Sequence, residues 1–105
     1  MKIAITSTGE NIDSMIDPRF GRCAFFAIHD TEKNRTEFIV NPAKNSLEGA
    51  GPAAVQFVAG YTVDKIVSGE FGMKIKPILE SFPIEMITNK KATSKIADII
   101  ELYTH

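Results

Sequence analysis

From residue 52 onward, apolar side chains alternate between helical spacing and short strand-like runs, and no other feature of the chain constrains the fold as much. Ala54, Val55, Val58 and Ala59 recur at helical intervals. Residues 63–67 then read as a strand and 84–88 as the last strand. Between them a second helix ends near Phe82. It accommodates Pro77 if it begins around Lys74 or Ile75. Ile96, Ile99, Ile100 and Tyr103 place a one-sided apolar stripe on a final helix. Such strand–helix repetition predicts parallel strands covered by helices.

The first half follows a different rule. Residues 2–6 read as a strand ended by the turn Ser7-Thr8-Gly9-Glu10. Residues 24–29 and 35–40 read as an antiparallel hairpin about the turn at 30–34, followed by a turn-rich loop at 41–46. Between the first two strands runs a long connection, 9–22. Its apolar members Ile12, Met15, Ile16 and Phe20 are expected to tuck it against the body, and loops of this length are either functional or mobile. Pro52 suits a first helical position, and Gly60 a helix stop. The order is β-β-β-α-β-α-β-α, an α/β class with a mixed sheet. No repeat or linker divides the 105 residues, so one domain spanning 1–105 is expected.

Composition narrows the function. A net charge of −1 and a pI near 6.1 argue against holding nucleic acid through bulk charge. One cysteine cannot form an internal disulfide. The first residues lack a signal peptide's apolar region, and no apolar run approaches the roughly twenty residues a membrane helix needs. A cytoplasmic protein with no membrane or nucleic-acid partner is expected.

Two segments point to a ligand. Residues 17–23, Asp-Pro-Arg-Phe-Gly-Arg-Cys, gather two guanidinium groups, a turn and the only thiol. Residues 49–52, Gly-Ala-Gly-Pro, open a helix with exposed amides. Ligands of open α/β sheets sit at the carboxyl ends of parallel strands. If the first and fourth strands are neighbours, Ser7, Thr8 and Gly9 meet Gly69 and Gly72 there, with Gly49, Ala50 and Gly51 at the same edge. Glycine admits close backbone approach and helix-start amides favour anions, although neither a dinucleotide fingerprint nor a P-loop is present. Each glycine cluster has plain turn geometry as its competing explanation. Cys23 has two readings: a small core residue, or a soft metal ligand whose pKa Arg19 and Arg22 lower. It cannot supply a four-thiolate cluster shell alone. His29 lies six residues along the strand, roughly 20 Å away at strand rise, and His105 is terminal, so both are poor co-ligands. That separation also excludes Cys–His nucleophilic catalysis. The element order is that of ribonuclease-H-like folds, but two-metal hydrolysis needs converging carboxylates. The first strand carries none, and Asp13, Asp17 and Asp64 suit turns and surfaces.

The chain resembles the dinitrogenase iron–molybdenum cofactor biosynthesis family, the small domain of NifX- and NafY-like proteins and of some NifB proteins. The resemblance spans nearly the whole chain. It rests on the first strand followed by Gly9, on Arg19-Phe20-Gly21-Arg22 before an apolar strand, on Gly49-Ala50-Gly51 opening a helix, and on Ser68-Gly69 with Gly72. It implies a ribonuclease-H-like domain without nuclease activity. The sheet would have five strands in the order 3-2-1-4-5, the second antiparallel to the others, flanked by three helices. It also implies binding of the iron–molybdenum cofactor or an iron–sulfur precursor, with cluster-assembly or nitrogenase-related proteins as partners. The chain departs from its relatives at Glu48, where many carry histidine, at Cys23, where many carry a small residue, and at Lys74-Ile75, where asparagine–alanine is frequent.

The sequence therefore leads to a non-enzymatic carrier of an anionic, loosely bound metal-cluster cargo, or a paralogue of one. Its expected contacts are Ser7, Thr8, Gly9, Arg19, Phe20, Gly21, Arg22, Gly49, Ala50, Gly51, Gly69 and Gly72, with Cys23 as metal ligand. The alternative is a metal-free interaction or regulatory module on the same fold, favoured by Glu48. An enzyme acting on a small anionic substrate comes third, for want of a complete catalytic set.

Overall fold

The structure, a computed structural model, describes residues 1–104. Five strands, β1 (Lys2–Ser7), β2 (Phe25–Asp30), β3 (Arg35–Val40), β4 (Lys65–Ser68) and β5 (Glu85–Thr88), are joined by three helices, α1 (Ala50–Ala59), α2 (Ile75–Glu80) and α3 (Ile96–Leu102). The strands form one sheet of order β3-β2-β1-β4-β5. β2 runs antiparallel to β1 and β3, whereas β1–β4 and β4–β5 are parallel. The mixed α/β architecture and the 3-2-1-4-5 order are thus as expected.

Alternation along the strands divides the interior in two, because successive side chains leave a strand on opposite faces. Ala4, Phe26, Ile28 and Ile66 pack toward Ala54, Val55 and Val58 of α1 and Leu79 of α2. Ile3, Ile5, Ala27 and Val67 pack toward Ile96 and Ile99 of α3. β1, at the centre, is buried from Ile3 to Ser7. Pro77 is the third residue of α2, where a missing amide hydrogen breaks no intrahelical bond.

As expected, α1 ends at Ala59 with Gly60 as its C-cap, although Gly60 keeps a right-handed conformation (φ −63°). The chain tightens through Tyr61 N to Val58 O and Thr62 N to Ala59 O, and Thr62 takes the left-handed conformation (φ 54°). The connection 9–22 is a strap bonded on both sides. Thr8 N donates to Met15 O (3.0 Å) and Asp17 N to Thr6 O (2.9 Å). Toward α3, Ile16 N donates to Ser94 O and Ile96 N to Ser14 O, both at 2.9 Å. Ile16 and Phe20 are buried, but Ile12 and Met15 are each 49% exposed, because the strap's own backbone pairing turns them outward.

His29 sits in the α3-side interior, 2% exposed. Its Nδ1 lies 2.8 Å from Thr36 Oγ1, and Nε2 has no hydrogen-bond partner. Burial lowers its pKa below the ordinary histidine value, and nearby Asp30 opposes this more weakly. The unfolded chain therefore binds this proton more readily than the folded one, so stability falls as pH drops through about 6.5. His29→Leu removes that proton uptake. Thermal melts at pH 7.5 and 5.5 should show a smaller loss of Tm in the variant than in the wild type.

Candidate functional site

The strap reaches the sheet's carboxyl edge through Asp17. Its carbonyl oxygen accepts from Thr6 Oγ1 (2.7 Å) and from Gly69 N (3.4 Å), so one peptide joins the ends of β1 and β4. The Asp17 side chain is buried, 2% exposed. Its Oδ1 accepts from Arg19 N (2.9 Å) and Arg19 Nε (3.3 Å), and its Oδ2 accepts from Arg19 Nη2 (3.4 Å). That hydrogen-bonded carboxylate raises the Arg19 pKa, and the guanidinium itself remains largely solvent-exposed.

Phe20 fixes the next turn. Its ring, 2% exposed, lies 5.8 Å from Phe26 and 5.6 Å from Phe71 between ring centroids, in tilted geometry. The chain then passes against the start of α1, where a Cβ on Gly21 would come 2.9 Å from Gly51 Cα and N. Only glycine permits that approach. Arg22 turns the other way: its Nη1 donates to the carbonyls of Lys44 (3.2 Å) and Ser46 (2.8 Å).

These contacts frame an open depression of about 360 Å³, lined by residues 18–22, 49–51, Glu70, Gly72 and Ile75. Gly49 precedes α1 in a left-handed conformation (φ 68°) and provides no side-chain cap. The amides of Ala50 and Gly51 lie in the first turn, where no intrahelical acceptor exists and partial positive charge collects. Arg19, Phe20, Gly21, Arg22, Gly49, Ala50, Gly51 and Gly72 therefore meet at one rim. Gly69 lines a smaller neighbouring hollow.

Four expected contacts lie elsewhere. Ser7 Oγ donates to Gly9 O (2.6 Å) and accepts from Gly9 N (3.3 Å), while Thr8 Oγ1 donates to Met15 O (3.1 Å). Ser7, Thr8 and Gly9 thus engage their polar groups within the 7–9 turn and with the strap, outside the depression. Cys23 is fully buried. Burial pushes its thiol up to about 12, the Asp17 charge adds to this, and the nearby Asn41 amide and Arg19 offset little of it. Arg19 pairs with Asp17 and Arg22 turns to the 44–46 carbonyls, so neither makes it a thiolate. His105 lies outside the described residues. Among those residues, no three His, Cys, Asp or Glu side chains are placed to hold a metal ion.

Sequence reasoning missed Pro18, Glu70 and Ile75. Glu70 sits between the two glycines singled out in its turn, so the turn's own composition carried that signal. It adds a carboxylate-bearing residue to the lining, and its backbone is bridged to that of Arg19. No helix among the described residues is long and apolar enough to cross a membrane.

Phe20→Ala should cost about 3–5 kcal/mol in urea denaturation, as expected when a buried phenyl is lost from a packed core. The Cys23 thiol should react with a disulfide-type thiol reagent only as the protein unfolds. At pH 8 the native protein should stay unlabelled while the urea-denatured chain labels fully.

Comparison with known proteins agrees with this fold. A protein of Methanocaldococcus jannaschii, itself described as uncharacterised, is 29% identical over 108 residues, covering 98% of this chain and 89% of its own. The apo form of the orange protein from Desulfovibrio gigas superposes with a TM-score of 0.90 at 26% identity, over 97% of this chain and 85% of that one. A proposed NifB protein from Thermotoga shares the fold, with a TM-score of 0.82 at 24% identity, over 98% and 86% of the two chains. The family described as dinitrogenase iron-molybdenum cofactor matches residues 1–105. The chain therefore belongs to the dinitrogenase iron-molybdenum cofactor family.

Proposed function

We propose that this protein reversibly captures an anionic metal–sulfide cargo of the iron–molybdenum or iron–sulfur type at the depression between the strap and α1, and catalyses no reaction. One observation carries this reading: Arg19, Arg22 and the first residues of α1 line a single open depression. A family named for the iron–molybdenum cofactor supports the choice of cargo.

The donor set defines the mode of binding. The depression offers guanidinium and backbone N–H groups and no thiol or imidazole. The cargo would therefore arrive preassembled, with its metal ions already ligated, and be held by charge and hydrogen bonds to its sulfur atoms. Cys23 serves packing in this reading and forms no bond to metal. Open walls and outer-sphere contacts suit handing on, since no metal–ligand bond must break at release. Partners would be proteins that build or receive such clusters.

The test is an anaerobic titration with tetrathiomolybdate, a soluble molybdenum–sulfide anion, followed by visible absorption and equilibrium dialysis at low ionic strength. Wild type and Cys23→Ser should bind alike, whereas Arg19→Gln combined with Arg22→Gln should weaken binding about tenfold or more, the size of two charge-assisted contacts. Absence of binding by the wild type, or arginine variants equal to it, would overturn the proposal.

A metal-free interaction module remains the second reading. Its supporting observation is the rim itself: Glu70 lines it, Glu48 stands exposed before α1, and Leu47 and Met73 are 97% and 90% exposed beside it. It requires a stable protein complex that Leu47→Ser and Met73→Ser abolish while the purified protein remains free of molybdenum and iron.

A further inference from the structure

The sheet has one long open edge. β3 runs six residues in unbroken register with β2, with no proline and no bulge, whereas the strand at the other edge, β5, has four. Among the described residues no backbone hydrogen bond reaches β3 from outside the hairpin. Its outward N–H and C=O groups are therefore free to pair with a further strand.

The side chains beside that edge carry a pattern. In the hairpin register Arg35 stands opposite Asp30 and Glu37 opposite Ile28. Ile28 packs toward α1, so Arg35 and Glu37 lie on that same face of the sheet. No helix covers them there. Both are exposed, and with Lys2, Asp30 and Tyr61 they line a hollow of about 430 Å³. Neither forms an ion pair among the described residues, with each other or with Asp30.

Charges guard a sheet edge against a second copy when like charges meet across the join. Here the two signs stand two residues apart on one face, which makes the strand complementary to itself. Antiparallel pairing of two copies about a two-fold axis through Thr36 sets Arg35 of each opposite Glu37 of the other, and Thr36 opposite Thr36. An axis through Glu37 or Arg35 would instead oppose like charges, and one through Phe38 would leave both charges without a partner of opposite sign. We propose that β3 is an interface for a second copy of this chain, joined antiparallel in the Thr36-centred register. The two sheets then become one, with α1 of both copies on the same side. The interface lies at the hairpin edge and owes nothing to the cargo proposed for the depression.

The test is sedimentation equilibrium of the cargo-free protein from micromolar to millimolar concentration. Wild type should show a reversible monomer–dimer equilibrium. Arg35→Glu and Glu37→Arg each turn two attractive pairs into two repulsive ones, and each should weaken the dimer about tenfold or more. They change net charge in opposite directions, so a general charge effect would not weaken both. The double variant Arg35→Glu with Glu37→Arg restores opposite charges across the join and should recover the wild-type affinity. Amide hydrogen exchange of wild type supplies a readout that needs no variant: residues 35–37 should gain protection as concentration rises, and β5 should not. A wild type that stays monomeric, a double variant as weak as the single ones, or exchange at 35–37 that ignores concentration would overturn the proposal. So would a dimer that Leu47→Ser and Met73→Ser abolish and the charge reversals leave intact, since that dimer would join at the mouth of the depression.

Discussion

The carboxyl edge of the sheet depends on one insertion, the Phe20 ring between Phe26 of β2 and Phe71 of the turn after β4. A phenyl group has no polar partner to guide it, so packing alone sets its position. Once it is set, geometry determines the rest. The residues on either side face solvent, Gly21 is pressed to the start of α1, and Asp17 is placed to join β1 and β4 through its carbonyl. A surface site is thus held by an interior contact, which lets an open depression keep a defined shape.

The two arginines are positioned by different means. Arg19 is held by a buried carboxylate, which fixes the guanidinium and also cancels part of its field. Arg22 is held by two carbonyl oxygens, which leave its charge whole but occupy some of its donors. Guanidinium groups fixed in this way lose little side-chain freedom when an anion arrives. The proposed hold on an anion would therefore be preorganised, and sensitive to salt because the Arg19 guanidinium is exposed.

Much of the architecture was legible because it rests on periodicity and punctuation. The helical spacing of Ala54, Val55 and Val58, the stripe on α3 and the position of Pro77 each have one cheap structural solution. The strand order did not follow from pattern; the family resemblance supplied it. Sequence misled where nearness along the chain was taken for nearness in space. Cys23 follows Arg22 directly, yet the arginine turns outward to the 44–46 carbonyls while the sulfur turns into the α1-side core. Ser7, Thr8 and Gly9 end and follow β1, but their hydrogen bonds go to one another and to Met15 of the strap. Glycine at position 60 marked the end of α1 correctly, and the left-handed residue that follows is Thr62. The glycines of the rim were found for a sound reason, since close backbone approach leaves a compositional trace that side-chain direction does not.

Asn41 is fully buried, and its side chain touches both of the segments it separates. Its Nδ2 donates to the carbonyls of Gly21 and Cys23, each at 3.0 Å, while its Oδ1 accepts from Ala43 N at 3.0 Å. Together with Arg22 on the outer side, this amide welds the strap's exit and the 42–46 loop into one wall. That wall cannot part from the strap without breaking the bonds of Asn41 to Gly21 and Cys23 and of Arg22 to Lys44 and Ser46.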